Sequence, residues 1–111
     1  SLITSEGTVT GTTSRGVARF GNIPYALPPE RWEPPEPPEP YPGGTRDGTE
    51  FGPKCVQLGG FASGSGSEDC LLLNVFAPQD AVGWPKAKLP ILLWVHGGGY
   101  QSGSASGNDL T

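Results

Sequence analysis

The sequence predicts an α/β fold built around a mixed sheet, and three observations carry that expectation. Ile91–Val95 is five apolar residues without a polar break, two of them β-branched. That content suits a strand covered on both faces, as in a parallel or mixed sheet. Ser1–Phe20 alternates apolar and polar residues in short runs, and Leu71–Ala77 returns to strand character until Pro78 ends it. No window before Ser102 shows sustained helical periodicity, so nothing in these 111 residues supplies the helices that a two-sided strand needs. The expectation is therefore of one part of a larger domain.

The apolar run stops at His96 and three glycines, Gly97, Gly98 and Gly99. Glycine weakens a strand, so the triplet calls for another reason. Without Cβ atoms the backbone can approach a ligand closely and turn successive N–H groups toward one point. Such a cluster stabilises negative charge, on a bound anion or on an oxyanion formed during acyl transfer. A dinucleotide fingerprint does not fit, because Ser102 stands where the last glycine of G-x-G-x-x-G belongs. A P-loop does not fit either, since no lysine follows the glycines. A flexible glycine-rich turn is the bland alternative. The context of strand, His-Gly-Gly-Gly and then an aromatic, Tyr100, is similar to the oxyanion-hole loop of lipases and esterases.

With 7 basic and 11 acidic side chains the chain carries a formal charge of −4. That balance argues against nucleic acid and anionic membrane surfaces as partners. The longest apolar run is far short of a bilayer span, so no membrane span is expected. No basic stretch and apolar core open the sequence, and the expectation is of a mature chain whose leader has been removed. Asn22, Asn74 and Asn108 all lack Ser or Thr two places on, so no glycosylation sequon occurs.

Ser1–Phe20, broken at Gly7, Gly11 and Gly16, reads as a small antiparallel meander. Asn22–Ala26 reads as extended, because Pro24 biases Ile23 away from helix. Leu27–Pro42 is too rich in proline for helix or central strand. It is expected to cross the surface in polyproline-like conformation with its ends anchored by Trp32 and Tyr41, rather than to serve as a ligand for a signalling module. The stretch from Gly59 to Ser67 is expected to be a mobile Gly/Ser loop. Cys55 and Cys70 are the only cysteines, with 14 residues between them. A bridge across that loop contributes roughly 3 kcal/mol on chain-entropy grounds, and two buried thiols are the alternative.

Taken together, these stretches resemble the N-terminal part of the type-B carboxylesterase family, which includes cholinesterases and fungal lipases. Gly7-Thr8-Val9-Thr10-Gly11 resembles the family's opening G-x-V-x-G. Phe20-Gly21-Asn22-Ile23-Pro24-Tyr25-Ala26 resembles F-x-G-I-P-Y-A, with Asn22 in place of the usual glycine. Arg31-Trp32 followed by Pro35-Glu36-Pro37 resembles R-F-x-x-P-x-P. Glu68-Asp69-Cys70-Leu71-Leu72-Leu73-Asn74 is similar to the signature E-D-C-L-x-L-N, and Trp94–Tyr100 resembles the oxyanion loop. The resemblance implies an α/β-hydrolase fold, of which this chain is the N-terminal portion: β-meander, proline-rich crossover and the first strands of the central mixed sheet. It also implies a Cys55–Cys70 disulfide beside the active-site gorge, an Arg31–Glu68 ion pair, and a secreted enzyme of fungal type.

Its implied chemistry is ester hydrolysis through an acyl-enzyme, with Gly98 and Gly99 donating N–H groups to the oxyanion. Gly97 and Tyr100 would line the substrate pocket, and His96 would orient the turn. No cofactor and no metal is implied. The G-x-S-x-G elbow is missing; its nearest lookalike, Gly103–Gly107, has Ala105 at the centre. With His96 committed to the loop, neither Asp69 nor Asp109 has a histidine to serve. The triad is therefore expected downstream, on a separate chain that would be this one's partner, together with a small-molecule ester. A catalytically silent relative used for adhesion or recognition is the rival reading, and a free-standing proline-rich module is a third. Two departures bear on specificity. The Pro28-Pro29-Glu30-Arg31 link is shorter than the family's P-P-x-G-x-x-R-F. The 14-residue disulfide loop, with Phe61 its lone aromatic, is too short for a lipase lid and lacks a cholinesterase-like choline site.

Overall fold

The computed structural model describes residues 1–58 and 66–106. Among these residues six short strands form two three-stranded sheets. In the first, β1 (Leu2–Thr4) pairs antiparallel with β2 (Gly7–Thr10), setting Leu2 opposite Val9. The turn between them is closed by Thr4, whose hydroxyl donates to Gly7 O at 3.0 Å and accepts from Glu6 N at 3.2 Å. On its other edge β2 runs parallel to β5 (Thr45–Asp47), which arrives only after the proline-rich crossover. The first sheet is thus mixed. The second is antiparallel in the order β3 (Thr12–Ser14), β4 (Val17–Pro24), β6 (Leu72–Pro78).

The opening meander of short strands therefore divides between two sheets. Gly48 links their backbones: its N donates to Thr10 O at 3.0 Å, and its O accepts from Gly21 N at 2.8 Å. Val9, Ala18, Phe20, Ile23 and Tyr41 form the buried core, with Leu2, Val75 and Val82 packed alongside. Val9 is fully buried, and a side chain of its type contributes about 1.5–3 kcal/mol when removed from water.

The sequence reads Val17–Phe20 and Asn22–Ala26 as separate extended pieces, whereas the structure joins them into one eight-residue strand ending at Pro24. A β-bulge between Phe20 and Ile23 explains why they look separate. Strict alternation would turn Ala18, Phe20 and Asn22 to one face. The bulge, with Asn22 at φ 56°, resets the parity so that Ile23 goes inward instead. Asn22 is held there by Arg46, whose Nη2 donates to Asn22 Oδ1 at 2.8 Å and whose Nε donates to Asn22 O.

The proline-rich crossover is irregular, as its composition demands, apart from an isolated bridge between Leu27 and Glu36 and a single 3₁₀ turn at Pro42–Gly44. Tyr41 anchors its C-terminal end: the ring is buried, and Tyr41 N donates to Glu6 O at 2.8 Å. Trp32 does not anchor the other end and is 92 % exposed. It sits in a turn closed by Glu33 N donating to Glu30 O at 2.9 Å, and its φ of 75° carries the indole away from the core. Its one ring contact is the Arg31 guanidinium, 5.8 Å from the ring centroid.

The larger correction concerns Ile91–Val95. It forms no strand, and Ile91, Leu92 and Leu93 are 94 %, 92 % and 84 % exposed. A strand exists only as one rail of a ladder, and among the described residues no segment runs beside this one. No helix among the described residues is long and apolar enough to cross a membrane. The expectation of a mobile loop falls largely on residues 59–65, which lie outside the described residues, as do Phe61 and Asp109.

Candidate functional site

Two clusters gather the chemistry-bearing residues, and a polar clamp joins them. The first is the disulfide loop. Cys55 and Cys70 are bonded with S–S 2.00 Å and Cα atoms 5.0 Å apart. Ser67 N donates to Lys54 O at 2.9 Å, and a parallel bridge pairs Cys55 with Ser67, so the two arms of the loop run side by side where they meet the disulfide. Arg31 Nη2 lies 3.3 Å from Glu68 Oε1, with both side chains about two-thirds or more exposed (69 % and 75 %). Water screens such a pair, so its part is to steer the crossover's tip toward the loop rather than to hold the fold.

The second cluster is the glycine turn that follows Val95. Gly98 at φ 144° and Gly99 at φ 62° occupy backbone that a side chain strains, and Tyr100 continues at φ 61°. These dihedrals bend the chain into a tight turn in which Gln101 N and Ser102 N both donate to Gly98 O at 3.1 Å. Ser102 Oγ donates to the same oxygen at 3.3 Å. Among the described residues, the N–H groups of Gly98 and Gly99 donate to no protein acceptor. Two successive N–H groups are thus left as donors without a protein acceptor among the described residues. His96 Nδ1 sits 2.9 Å from Gly97 O, a contact that places the ring proton on Nδ1. Tyr100 is fully exposed, and Gly97 has open space where a Cβ would be.

Gln57, two residues past Cys55, joins the clusters. Its Nε2 donates to Gly103 O at 2.5 Å, and Gly103 N donates to its Oε1 at 3.0 Å. Asn74 of β6 adds a second tie, donating from Nδ2 to Ala105 O at 3.3 Å and accepting Asn22 N at its Oδ1 at 3.3 Å. Sequence reasoning did not single out Gln57, and it met Gly103 only as the first residue of the elbow lookalike. Their pairing spans 46 residues, and a lone amide beside a cysteine carries no spacing signal. Among the described residues no three His, Cys, Asp or Glu side chains come together as a metal site would require.

A model of the carboxylesterase family matches residues 1–111. The chain is 43 % identical over 111 residues to fumonisin B1 esterase of Sphingopyxis macrogoltabida, covering 93 % of this chain and 19 % of the relative. It is 41 % identical over 114 residues to para-nitrobenzyl esterase of Bacillus subtilis, covering 95 % of this chain and 22 % of the relative. Among solved structures, a thermophilic PNB esterase superposes with a TM-score of 0.76 at 40 % identity, over 92 % of this chain and 22 % of that one. The chain thus spans about a fifth of the length of the relatives it matches. Its two sheets, crossover and glycine turn are the N-terminal portion of an α/β-hydrolase fold. The sequence belongs to the carboxylesterase family.

Proposed function

We propose that the protein carrying this sequence is a serine carboxylic-ester hydrolase working through an acyl-enzyme, and that this stretch supplies its oxyanion hole. One observation carries the reading: Gly98 and Gly99 stand on left-handed backbone with both N–H groups unpaired, directly after the His96 contact that folds the turn. As the nucleophile attacks the ester carbonyl, negative charge develops on its oxygen. Preorganised N–H donors stabilise that charge without reorganising, and each is worth on the order of a hundred- to a thousandfold in rate. Gly97, which leaves open space, and Tyr100, which has no packing partner here, would then border the acyl group. The disulfide loop would stand at the rim of the same cleft.

The triad serine, acid and histidine belong, in this reading, to sequence outside this stretch, which completes the domain and covers Ile91–Val95. The Cys55–Cys70 bridge supports an extracellular setting, where disulfides persist. The test uses the full-length protein, offered a soluble short-chain aryl ester and an organophosphonate that phosphonylates activated serines. Turnover is expected, with one phosphonyl group per molecule on a serine outside residues 1–111. A properly folded protein with neither turnover nor label would support the catalytically silent, adhesion-type reading instead.

A further inference from the structure

We infer that Gln57 is a positioning residue for the glycine turn, gripping Gly103 so that Gly98 and Gly99 present their N–H groups in one fixed direction; this rests on the oxyanion reading above. The grip has two points. Gln57 donates to Gly103 O and accepts from Gly103 N, at 2.5 and 3.0 Å. A side-chain amide used in this way reproduces the reciprocal pairing of two residues in an antiparallel ladder. Only an amide side chain offers a donor and an acceptor side by side, and asparagine is one methylene too short to keep this reach.

What Gly103 touches makes the grip consequential. Gly103 has φ 115°, and a Cβ built on it would run into Gly97 O and the His96 ring at Nδ1. Its backbone therefore lies flush against the two residues that begin the turn. Fixing Gly103 fixes the back wall of Gly97–Gly99. The front of the turn has no comparable hold, because Ile91–Val95, which leads into it, lies in no ladder among the described residues. The turn is held from its far side, by Gln57 at Gly103 and by Asn74 at Ala105.

Gln57 is itself well placed to act as an anchor. It follows Cys55 by two residues, and Cys55 is bound covalently to Cys70 and bridged to Ser67. Cys70 in turn leads straight into β6, with Leu72 N donating to Cys70 O at 2.9 Å. A covalent and hydrogen-bonded path thus runs from the antiparallel sheet to the turn through one amide. An oxyanion donor acts only if it is aimed before the charge appears, and a displacement of about 1 Å can cost on the order of a hundredfold.

The test compares full-length wild-type protein with Gln57→Met, which keeps the volume but not the hydrogen bonds, and with Gln57→Ala. Hydrogen exchange at the bonded amides of Gln101–Gly103 should quicken about tenfold in both variants, while exchange in Leu72–Pro78 and the melting temperature hold. On a soluble short-chain ester, kcat should fall about tenfold with KM within about twofold, the pattern of a contact felt in the transition state. Affinity for a trifluoromethyl ketone, which forms a tetrahedral adduct, should fall by the same factor as kcat/KM. Unchanged exchange at Gln101–Gly103, or wild-type kcat in Gln57→Met, overturns the inference. If wild-type protein hydrolyses no ester and takes no phosphonate, the oxyanion reading is what fails. The exchange measurement then decides the grip alone, quickened exchange supporting it and unchanged exchange overturning it.

Discussion

Gly99→Pro is a severe single-residue test, because proline removes one N–H and, being locked at φ of about −65°, also reshapes a turn that holds Gly99 at φ 62°. If Gly99 donates to the oxyanion, turnover should fall by roughly a hundredfold or more. Phosphonate labelling of the nucleophile should persist, and a melting curve serves as the folding control. At the same scale, Asp47 shows how a carboxylate at the end of β5 is held ionised. Its Oδ1 accepts from Thr49 N at 2.9 Å and from Thr49 Oγ1 at 2.7 Å, and these bonds hold its carboxyl below the ordinary value of 3.8. A depressed carboxylate contributes stability that is fully present above the ordinary value and lost as pH falls through the lowered one. Thr49→Ala removes the hydroxyl bond, so the Asp47 titration followed by NMR should move up toward 3.8, and the acid-side loss of stability tied to this residue should shrink. No upward movement would mean that the hydroxyl does not hold the carboxylate. Residue types alone pointed to the glycine turn, because three consecutive glycines after an apolar run have few structural uses. Gln57 was illegible for the opposite reason, since its partner is fixed by the fold and not by spacing.

Strands were legible wherever alternation met a turn residue: β1, β2 and β6 lie close to where Gly7, Gly11 and Pro78 punctuate the chain. β4 was read as two pieces because its bulge interrupts the period of two on which such reading depends. The parallel partner β5 passed unnoticed, being three residues with one half-buried side chain, Arg46, and no apolar alternation. The crossover's course followed from proline content, but its anchor points did not. Trp32 has the size of an anchor and the φ of a turn tip, and the backbone prevails. The disulfide loop bears on a functional expectation at this scale. With 14 residues between Cys55 and Cys70, it has no room for a long amphipathic lid. The full-length protein should therefore show no jump in rate as a long-chain ester passes its solubility limit, and soluble short-chain esters should be the better substrates. A sharp rise at that limit in a turnover assay would mean that another part of the protein closes over the site.

At the scale of the molecule, the core of Val9, Ala18, Phe20, Ile23 and Tyr41 is drawn from β2, β4 and the end of the crossover. None of the large apolar side chains of Ile91–Val95 joins it. The sequence marks those five residues as the best strand of the chain, and the structure leaves them unpaired. Both follow from the same physics: hydrophobic content is a property of the segment, whereas a ladder is a property of its neighbours. The glycine turn inherits that position. It is built at the end of a rail that has no fellow here, and its back rests against the disulfide loop through Gly103.

An unpaired apolar stretch of this composition also has a cost during synthesis. Five β-prone residues with no charge and no proline among them are the kind of segment that zips onto a second copy of itself before its native neighbours exist. The residues just ahead of it oppose that outcome. Lys86 and Lys88 place positive charge beside the segment, Pro90 removes a backbone donor at its first step, and Gly97–Gly99 cut the far end short. Such flanking residues act as gatekeepers against intermolecular stacking. The same three glycines that shape the turn thereby also limit how far a mispaired strand can grow while the nascent chain waits for its partners.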